Sequence, residues 1–335
     1  MYIIQPTSHG GRGAIATQFL AKGTQVLRCP GPYAHVVLRK FRKEVCEWCF
    51  RYAAPLNKWT IKALCEGKRE TGLWFCSETC RAASYGEKWI LEVFARFEME
   101  VVRTMKLKNG DDETPSVEPA NISAEYLDRV WANVDDSSPL VLNEFEVDTA
   151  KFLLVALVSK VSNGLGSWTD FLSLQNNELA YARHKPYILA SHLRVFRFLR
   201  IVCASSVLKA DLDTPEVVRA ILGRDPGNVF GIWEDTESNE AEMFGWAAYV
   251  AASFFNHGLS MFIFTAEFVN LNDSADCSPS LKKRRLDRTI EFYTLRDVRP
   301  GEELCISYIS ELDEDRNRLL QDWFFQCRCK RCLGA

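Results

Sequence analysis

Residues 300–308 read PGEELCISY, and residues 323–332 read WFFQCRCKRC. The first stretch is a Pro-Gly turn that leads into a short apolar run ending at Tyr308, which is the pattern of a turn followed by a strand. The second stretch holds three cysteines at C-x-C-x2-C spacing: Cys327, Cys329 and Cys332. Thiols so close together suit a tetrahedral soft metal better than a hydrophobic core. We therefore expect a strand followed by a metal-binding cysteine knuckle.

A second group of cysteines lies nearer the N-terminus, where the spacings are C-x2-C and, after a gap, C-x3-C. Its members are Cys46, Cys49, Cys76 and Cys80. These spacings fit one tetrahedral zinc site with four sulfur ligands, and a chance pairing of surface cysteines is the alternative. The other five cysteines stand apart, and we expect them to be buried structural thiols: Cys29, Cys65, Cys203, Cys277 and Cys305.

The 335-residue chain is ordinary in composition, with 47% hydrophobic residues, 25% charged residues and a net charge of −3. This charge gives no support to direct nucleic-acid binding, for which a strongly basic balance is typical. No apolar run reaches the ~18 residues of a membrane span, and residues 1–6 lack the pattern of a signal peptide. We therefore expect an intracellular protein that binds no membrane. We also expect it to be a monomer located in the nucleus or the cytoplasm.

Glycines cluster near the N-terminus, where residues 9–17 read HGGRGAIAT and residues 22–28 read KGTQVLR. We interpret this region as a glycine loop followed by two short strands with a Lys-Gly turn between them. Glycine lets a backbone approach a ligand closely, so this loop is a candidate cofactor contact. A plain turn that leads into a strand is the alternative.

Helical periodicity dominates the middle of the chain, around residues 82–102, 144–161 and 187–208. This helical insert ends at residues 226–233, which read PGNVFGIW. Residues 242–255 form a further apolar run, which we interpret as helical, and the pair Asn256 and His257 follows it.

A basic cluster lies between two predicted strands at residues 261–269 and 288–295. It consists of Lys282, Lys283, Arg284 and Arg285, in a segment that we interpret as a polar loop. Such a cluster can act as a nuclear address or contact an acidic partner, but it is more often simply solvated.

In this order, the motifs resemble those of the split-SET, MYND-type zinc-finger protein lysine methyltransferases, in a divergent, fungal-like small form. The features that carry the resemblance are the Gly-Arg-Gly loop, the inserted finger, the Asn-x-Phe pattern, the Asn-His pair and the Gly-Glu-Glu-Leu strand. The resemblance implies an α+β fold in which SET-domain β-sheets are interrupted by a zinc finger and a helical insert, with a cysteine-rich post-SET segment. The implied segments are the SET N-terminal half (1–43), a reduced MYND-like finger (44–82), the helical insert (83–240), the SET C-terminal half (241–310) and the post-SET segment (311–335).

The site residues of the family can be carried over position by position. Tyr308 matches the residue whose hydroxyl faces the transferred methyl group, and Trp323 matches a residue of the lysine channel. The resemblance implies that S-adenosylmethionine contacts seven residues: Gly11, Arg12, Gly13, Asn228, Asn256, His257 and Phe325. For Asn228, a loop asparagine that satisfies its own turn is the alternative. Each aromatic residue could equally belong to the core.

The sequence departs from the family in its metal ligands. The family motif Asn-His-Ser-Cys-x-Pro-Asn reads NHGLSMF at residues 256–262, so that Leu259, Met261 and Phe262 replace its cysteine, proline and last asparagine. That cysteine is the family's fourth ligand to the post-SET zinc. Here Cys277 or Cys305 could substitute, or the knuckle is metal-free. The family finger holds two zinc ions, but only Cys65 lies between the cysteine pairs here, so we expect one zinc in the finger.

The resemblance implies transfer of a methyl group from S-adenosylmethionine to a lysine of a histone or another protein. The lysine must first lose its proton, although free lysine has a pKa near 10.4. The alternative is a catalytically impaired SET-fold module that keeps its zinc and binds a partner protein, which the replacements at Leu259 and Phe262 favour. A purely structural zinc protein is a third hypothesis.

Overall fold

The computed structural model describes seven ranges of the chain: residues 1–7, 11–53, 57–105, 117–162, 166–234, 241–256 and 280–307. The chain divides into two compact units. The first unit consists of Met1–Gly31 and Tyr249–Ala335, and the second consists of Pro32–Ala248. The first unit is therefore assembled from both ends of the chain.

Small antiparallel sheets form the described part of the first unit. Its strands are β1 (Tyr2–Pro6), β2 (Arg12–Ala16), β3 (Gln25–Cys29), β9 (Leu281–Leu286) and β10 (Thr289–Thr294). Strand β1 pairs with β2, and the other three form a sheet in the order β3-β10-β9. The two expected N-terminal strands are confirmed as β2 and β3, although they belong to different sheets. Gly23 in the turn between them has a φ of 83°, which favours glycine.

Helices are the main regular structure of the second unit. They are α1 (Glu78–Ala83), α2 (Lys88–Thr104), α3 (Ala124–Ala132), α4 (Glu144–Val161), α5 (Trp168–Leu172), α6 (Glu178–His184), α7 (Ile188–Cys203) and α8 (Glu216–Leu222). Short 3-10 helices lie at Arg39–Phe41, Glu66–Lys68, Pro119–Asn121 and Val207–Leu212. Within the described ranges, no helix has both the length and the apolar character needed to cross a membrane.

Helix α4 is the centre of the second unit. Asn143 begins it with a capping box, because its side chain accepts the N–H of Glu146 while the Glu146 carboxylate accepts the N–H of Asn143. Residues 146–158 are all buried, as expected for a helix covered on every side. Helix α4 packs against α7 and against strand β4 (Ala34–Val37). Strand β4 belongs to the sheet β4-β8-β7, whose other strands are β8 (Met243–Ala248) and β7 (Phe230–Trp233).

The expected helix over residues 242–255 is wrong. Its first part is strand β8, and its last part contains only a 3-10 turn at Ala252–Phe254. A Cβ added at Gly245 would lie 1.9 Å from the carbonyl oxygen of Val36, so the missing side chain lets β8 approach β4 closely. Pairing with a distant strand therefore overrides the local helical pattern.

The expected polar loop around the basic cluster is also wrong. The cluster lies on strand β9, which pairs along its whole length with the predicted strand β10. Asp287, with a φ of 51°, turns the chain between the two strands. Lys282, Lys283 and Arg284 are exposed, so the basic side chains are solvated although the backbone is paired. The strand predicted at residues 261–269 lies outside the described residues.

Candidate metal centre and candidate active site

The four finger cysteines come together in the second unit. A hairpin of β5 (Ile61–Leu64) and β6 (Glu70–Phe75) places Cys76 directly after its second strand, and Cys80 lies in the first turn of α1. All four sulfur atoms lie within 4.8 Å of one another, and Cys76 Sγ is 3.5 Å from both Cys49 Sγ and Cys80 Sγ. Zn–S bonds of ~2.3 Å in a tetrahedron hold sulfur ligands about 3.8 Å apart, so this donor set fits zinc.

Local backbone structure fixes the cysteine positions. The N–H of Cys46 donates to the carbonyl of Arg51 at 2.9 Å, and the N–H of Phe50 donates to the carbonyl of Cys46 at 2.9 Å. Phe50 adopts a φ of 64°, which closes this tight knuckle. On the other side, the Ser77 hydroxyl caps α1 by accepting the N–H of Cys80 at 3.1 Å. Hydrogen bonds to the backbone therefore position both halves of the cluster.

The knuckle favours a thiolate at Cys46. The pKa of Cys46 is lowered to about 5, first because the Cys49 thiol donates a hydrogen bond to it, and also because backbone N–H groups point at its sulfur. Burial raises the pKa of Cys76 to about 11. Because zinc binds thiolates, metal loading of this cluster would release protons.

Cys65 lies apart from the cluster. It is buried, and its thiol donates to the carbonyl of Glu66 at 3.4 Å. In the ranges that the structure describes, the finger cysteines are the one group of three or more side chains arranged to hold a metal.

The isolated cysteines mostly match the expected buried thiols. Cys29, Cys65 and Cys203 are buried. Cys305 is only half-buried, which corrects the expectation: it lies between the buried Leu304 and Ile306 in an extended segment and faces the other side. Cys277 lies outside the described residues.

A buried ion pair lies behind the finger. Glu47 is 1% exposed, and its Oε2 lies 2.7 Å from the Nζ of Lys151 on α4. The Nε2 of His35 lies 3.0 Å from the carbonyl oxygen of Glu47 and 3.5 Å from its Oε1. Burial alone would raise the pKa of Glu47, but the charge of Lys151 and the contact with His35 hold that pKa below its usual value. The pair links the cysteine knuckle to the central helix.

Replacing Cys76 with serine is expected to abolish metal binding by the finger, because three sulfur ligands remain where zinc needs four. Native mass spectrometry of the zinc-loaded protein measures this as the loss of one zinc ion per chain. The control is Cys65→Ser, a buried cysteine outside the cluster, which should retain the metal. Equal zinc content in the two variants would contradict the assignment.

In the first unit, the side chain of Asn256 joins the glycine loop to residues 301–306, where the predicted strand is present only as a segment with isolated bridges. Its Nδ2 donates to the carbonyl of Arg12 at 3.2 Å and to the Oε1 of Glu303 at 2.7 Å. A Cβ added at Gly13 would lie 2.3 Å from Glu303 Oε1 and 2.7 Å from Asn256 Nδ2. A larger residue at this position would displace one of these side chains, so the loop packs closely against the Asn256 amide.

Residues 301–306 run antiparallel to β2. Backbone hydrogen bonds of 2.7–2.9 Å join Gly301 to Ala16, Glu302 to Ala16 and Leu304 to Ala14. Gly301, with a φ of 87°, turns the chain into this segment. The N–H of Ile306 then donates to the carbonyl of Asn256 at 2.9 Å. This bond joins the segment that carries Glu303 to the backbone of Asn256.

Arg12 has a contact of its own in the same unit. Its guanidinium carbon lies 5.2 Å from the centroid of the Phe254 ring, within the range of a cation–π interaction. Gly11 has a φ of 71° with open space around its Cα, so the loop is turned by glycine at its start.

Asn228 lies in the second unit and closes a turn there. Its Nδ2 donates to the carbonyls of Gln175 at 2.9 Å and Arg224 at 2.8 Å, and the residue is 6% exposed. These bonds match the turn-closing alternative, and they engage the amide nitrogen rather than the amide oxygen.

Several predicted site residues lie outside the described residues. They are Tyr308, His257, Trp323, Phe325 and the post-SET cysteines Cys327, Cys329 and Cys332. Conversely, sequence reasoning did not identify Glu303 as a site residue, although it belongs to the Gly-Glu-Glu-Leu motif. It also missed the Glu47–Lys151 pair, for which the sequence contains no local signal.

Comparison with known protein families identifies one that matches this chain. The family described as SET domain matches residues 11–309 of the chain. This match covers both units and includes every described residue of the candidate active site in the first unit.

Individual relatives cover nearly the whole chain at low identity. A potential protein lysine methyltransferase of Saccharomyces cerevisiae is 28% identical over 370 residues, which cover 98% of this chain and 94% of that protein. A histone-lysine N-methyltransferase of Arabidopsis thaliana is 25% identical, over 96% of this chain and 69% of that protein. An N-lysine methyltransferase of Danio rerio is 24% identical, over 97% of this chain and 58% of that protein.

Proposed function

Because this chain belongs to the SET-domain family, we propose that it transfers a methyl group from S-adenosylmethionine to the side-chain amine of a lysine in a protein. The family match and the relatives named as lysine methyltransferases support this proposal. The proposed substrate is a histone or another protein that presents a lysine. We further propose a monomer of the nucleus or cytoplasm that binds neither membrane nor nucleic acid.

The observation that carries the proposal is the hydrogen-bonded group around Asn256. Two oxygen atoms, from Arg12 and Glu303, hold the amide nitrogen, so the amide oxygen of Asn256 points away from them. An amide oxygen is a suitable acceptor for the ammonium group at the amino-acid end of S-adenosylmethionine. The bare backbone at Gly13 allows this arrangement. These residues fit the cofactor that the family uses.

When bound, S-adenosylmethionine supplies a methyl group on a positively charged sulfur, and the acceptor must be a neutral amine. The proposed role of the protein is to align that amine and to exclude water from it, because an apolar channel disfavours the ammonium form of lysine. Good alignment can be worth roughly 7–11 kcal/mol of the barrier. We assign the alignment to Tyr308 and the channel wall to Trp323, on the family resemblance.

We propose a structural role for zinc in the finger. All four ligands would be protein sulfurs, which leaves no open position for a substrate. A second zinc at Cys327, Cys329 and Cys332 remains part of the proposal and needs a fourth ligand.

The test is methyl transfer by the purified full-length protein. Labelled S-adenosylmethionine is incubated with core histones and with a protein lysate, and we expect label on lysine. The cofactor should also raise the melting temperature, because a ligand that binds only the folded state stabilises it. Partner binding without any label on a protein would instead favour the catalytically impaired module.

Replacing Tyr308 with phenylalanine is expected to reduce methyl transfer by about tenfold or more, because misalignment of reacting groups can cost ~100-fold. Cofactor affinity and zinc content should stay unchanged. The matched control is Tyr187→Phe, since Tyr187 is 61% exposed on the second unit. Equal methylation rates for the two variants would contradict the role assigned to Tyr308.

A further inference from the structure

We infer that Glu303 is a positioning residue that sets the orientation of the Asn256 amide for cofactor binding. The inference rests on the proposed methyl transfer, and it assigns a task to a carboxylate that this function does not otherwise use. Glu303 is half-buried, and its Oε1 accepts the Nδ2 of Asn256 at 2.7 Å. The contact is a charge-assisted hydrogen bond between residues 47 positions apart in the chain.

The carboxylate selects one of two amide orientations. An asparagine amide can rotate by half a turn and exchange its oxygen and nitrogen at little cost when its neighbours are indifferent. Here both neighbours are acceptors, because the Arg12 carbonyl lies on the same side as Glu303. Rotation would place the amide oxygen against a carboxylate and a carbonyl, which repel it. The amide oxygen is thereby held on the side away from both.

The backbone that carries Glu303 is fixed on two sides. On one side, Glu303 forms a bridge with Ile15 of β2. On the other side, the hydroxyl of the fully buried Ser280 accepts the N–H of Cys305 at 2.9 Å, and the N–H of Leu281 donates to the carbonyl of Cys305 at 3.0 Å. The backbone of Glu303 is thereby held at a fixed position beside Asn256.

The glycine loop packs directly against the carboxylate group of Glu303. The distances of 2.3 Å and 2.7 Å from a Cβ added at Gly13 show that Glu303 and Asn256 both pack directly against the bare Cα. Loop, amide and carboxylate therefore form one contact group, in which the loop contributes space, the amide contributes the ligand contact and the carboxylate contributes the orientation.

Four variants of the protein distinguish the effect of side-chain length at position 303 from the effect of its charge. Glu303→Ala removes the acceptor, Glu303→Gln keeps an acceptor oxygen at the same reach without the charge, and Glu303→Asp keeps the charge but shortens the reach. The matched control is Glu302→Ala, because the neighbouring carboxylate instead accepts the N–H of Arg299 at 2.8 Å and the Arg296 guanidinium at 2.7 Å. Circular dichroism and melting temperature report the folding of each variant.

The dissociation constant of S-adenosylmethionine, measured by calorimetry, is the main readout. We expect it to rise about 10–100-fold in Glu303→Ala and Glu303→Asp, which is the range for loss of a hydrogen bond to a charged group. It should stay within about threefold of wild type in Glu303→Gln and Glu302→Ala. The KM for the cofactor should follow the same order, while kcat at saturating cofactor and the KM for the protein substrate stay near wild type.

A double variant tests whether Glu303 acts through Asn256. Glu303→Ala combined with Asn256→Ala should bind the cofactor no more weakly than Asn256→Ala alone, because Glu303 has no amide to orient once Asn256 is replaced. Wild-type affinity in both Glu303→Ala and Glu303→Asp would overturn the inference while leaving the function intact. Equal loss in Glu303→Gln and Glu303→Ala would also overturn it, in favour of a direct charge effect. Absence of cofactor binding by the wild type would overturn both the function and the inference.

Discussion

Replacement of Lys151 by methionine is expected to lower the free energy of unfolding by about 3–5 kcal/mol, because it leaves the Glu47 carboxylate buried without its cation. Glu47 is 1% exposed, and Lys151 Nζ at 2.7 Å is its nearest positive charge. His35, at 3.5 Å from the other carboxylate oxygen, can compensate only if it takes up a proton. Urea unfolding followed by circular dichroism, in buffer with zinc, measures the change.

The control for Lys151 is a lysine whose ion pair is solvated. Lys40 lies 3.1 Å from Glu242, and both side chains are 54% exposed, so Lys40→Met should cost at most about 1 kcal/mol. The double variant Glu47→Gln with Lys151→Met should regain most of the lost stability, because no charge is then left buried. If Lys151→Met is no more destabilising than Lys40→Met, the buried pair contributes little to the fold.

Replacement of Gly13 by alanine is expected to weaken binding of S-adenosylmethionine by about 100-fold, the scale of loss caused by displacing a positioned group by about 1 Å. The added Cβ would lie 2.3 Å from Glu303 and 2.7 Å from Asn256, so one of these side chains must leave its place. Backbone hydrogen bonds hold both segments, so the clash is relieved by rotation of a side chain, which breaks the contact between Asn256 and Glu303. Calorimetric titration with the cofactor measures the loss.

Gly86→Ala provides the matched control for Gly13→Ala. Gly86, like Gly13, lacks a positive φ, and it has nothing within 4 Å of an added Cβ. The two variants thus carry the same chemical change, and they differ only in the space available. Cofactor affinity within about threefold of wild type in Gly13→Ala would show that the contact group can rearrange freely.

Features with a strong local signal could be predicted from the sequence. The helix expected over residues 144–161 is confirmed with the same bounds, because its cap and its continuous apolar pattern are both encoded within the segment. The α+β fold class is likewise confirmed, and the finger cysteines come together as their spacing implies. The five-segment division of the chain stays a prediction.

Features that depend on distant partners could not be predicted. The local sequence of strand β8 predicts a helix, because the strand's partner, β4, lies more than 200 positions earlier in the chain. The contact of Lys151 with Glu47 spans 104 positions, and a lysine in an apolar helix gives no indication of its partner. Glu303 could be read as part of a motif, but its role emerges only when Asn256 and the Gly13 backbone are seen beside it.

The discontinuous first unit has a consequence for biosynthesis. The carbonyl of Arg12 and the amide of Asn256 are 244 positions apart. A ribosome that adds ~5–20 residues per second therefore synthesises Asn256 roughly 10–50 seconds after Arg12. During that interval β3 is exposed on the nascent polypeptide without its partner β10, which follows much later in the chain. We therefore expect chaperones to engage the early segment, and any prematurely terminated product to lack a cofactor pocket altogether.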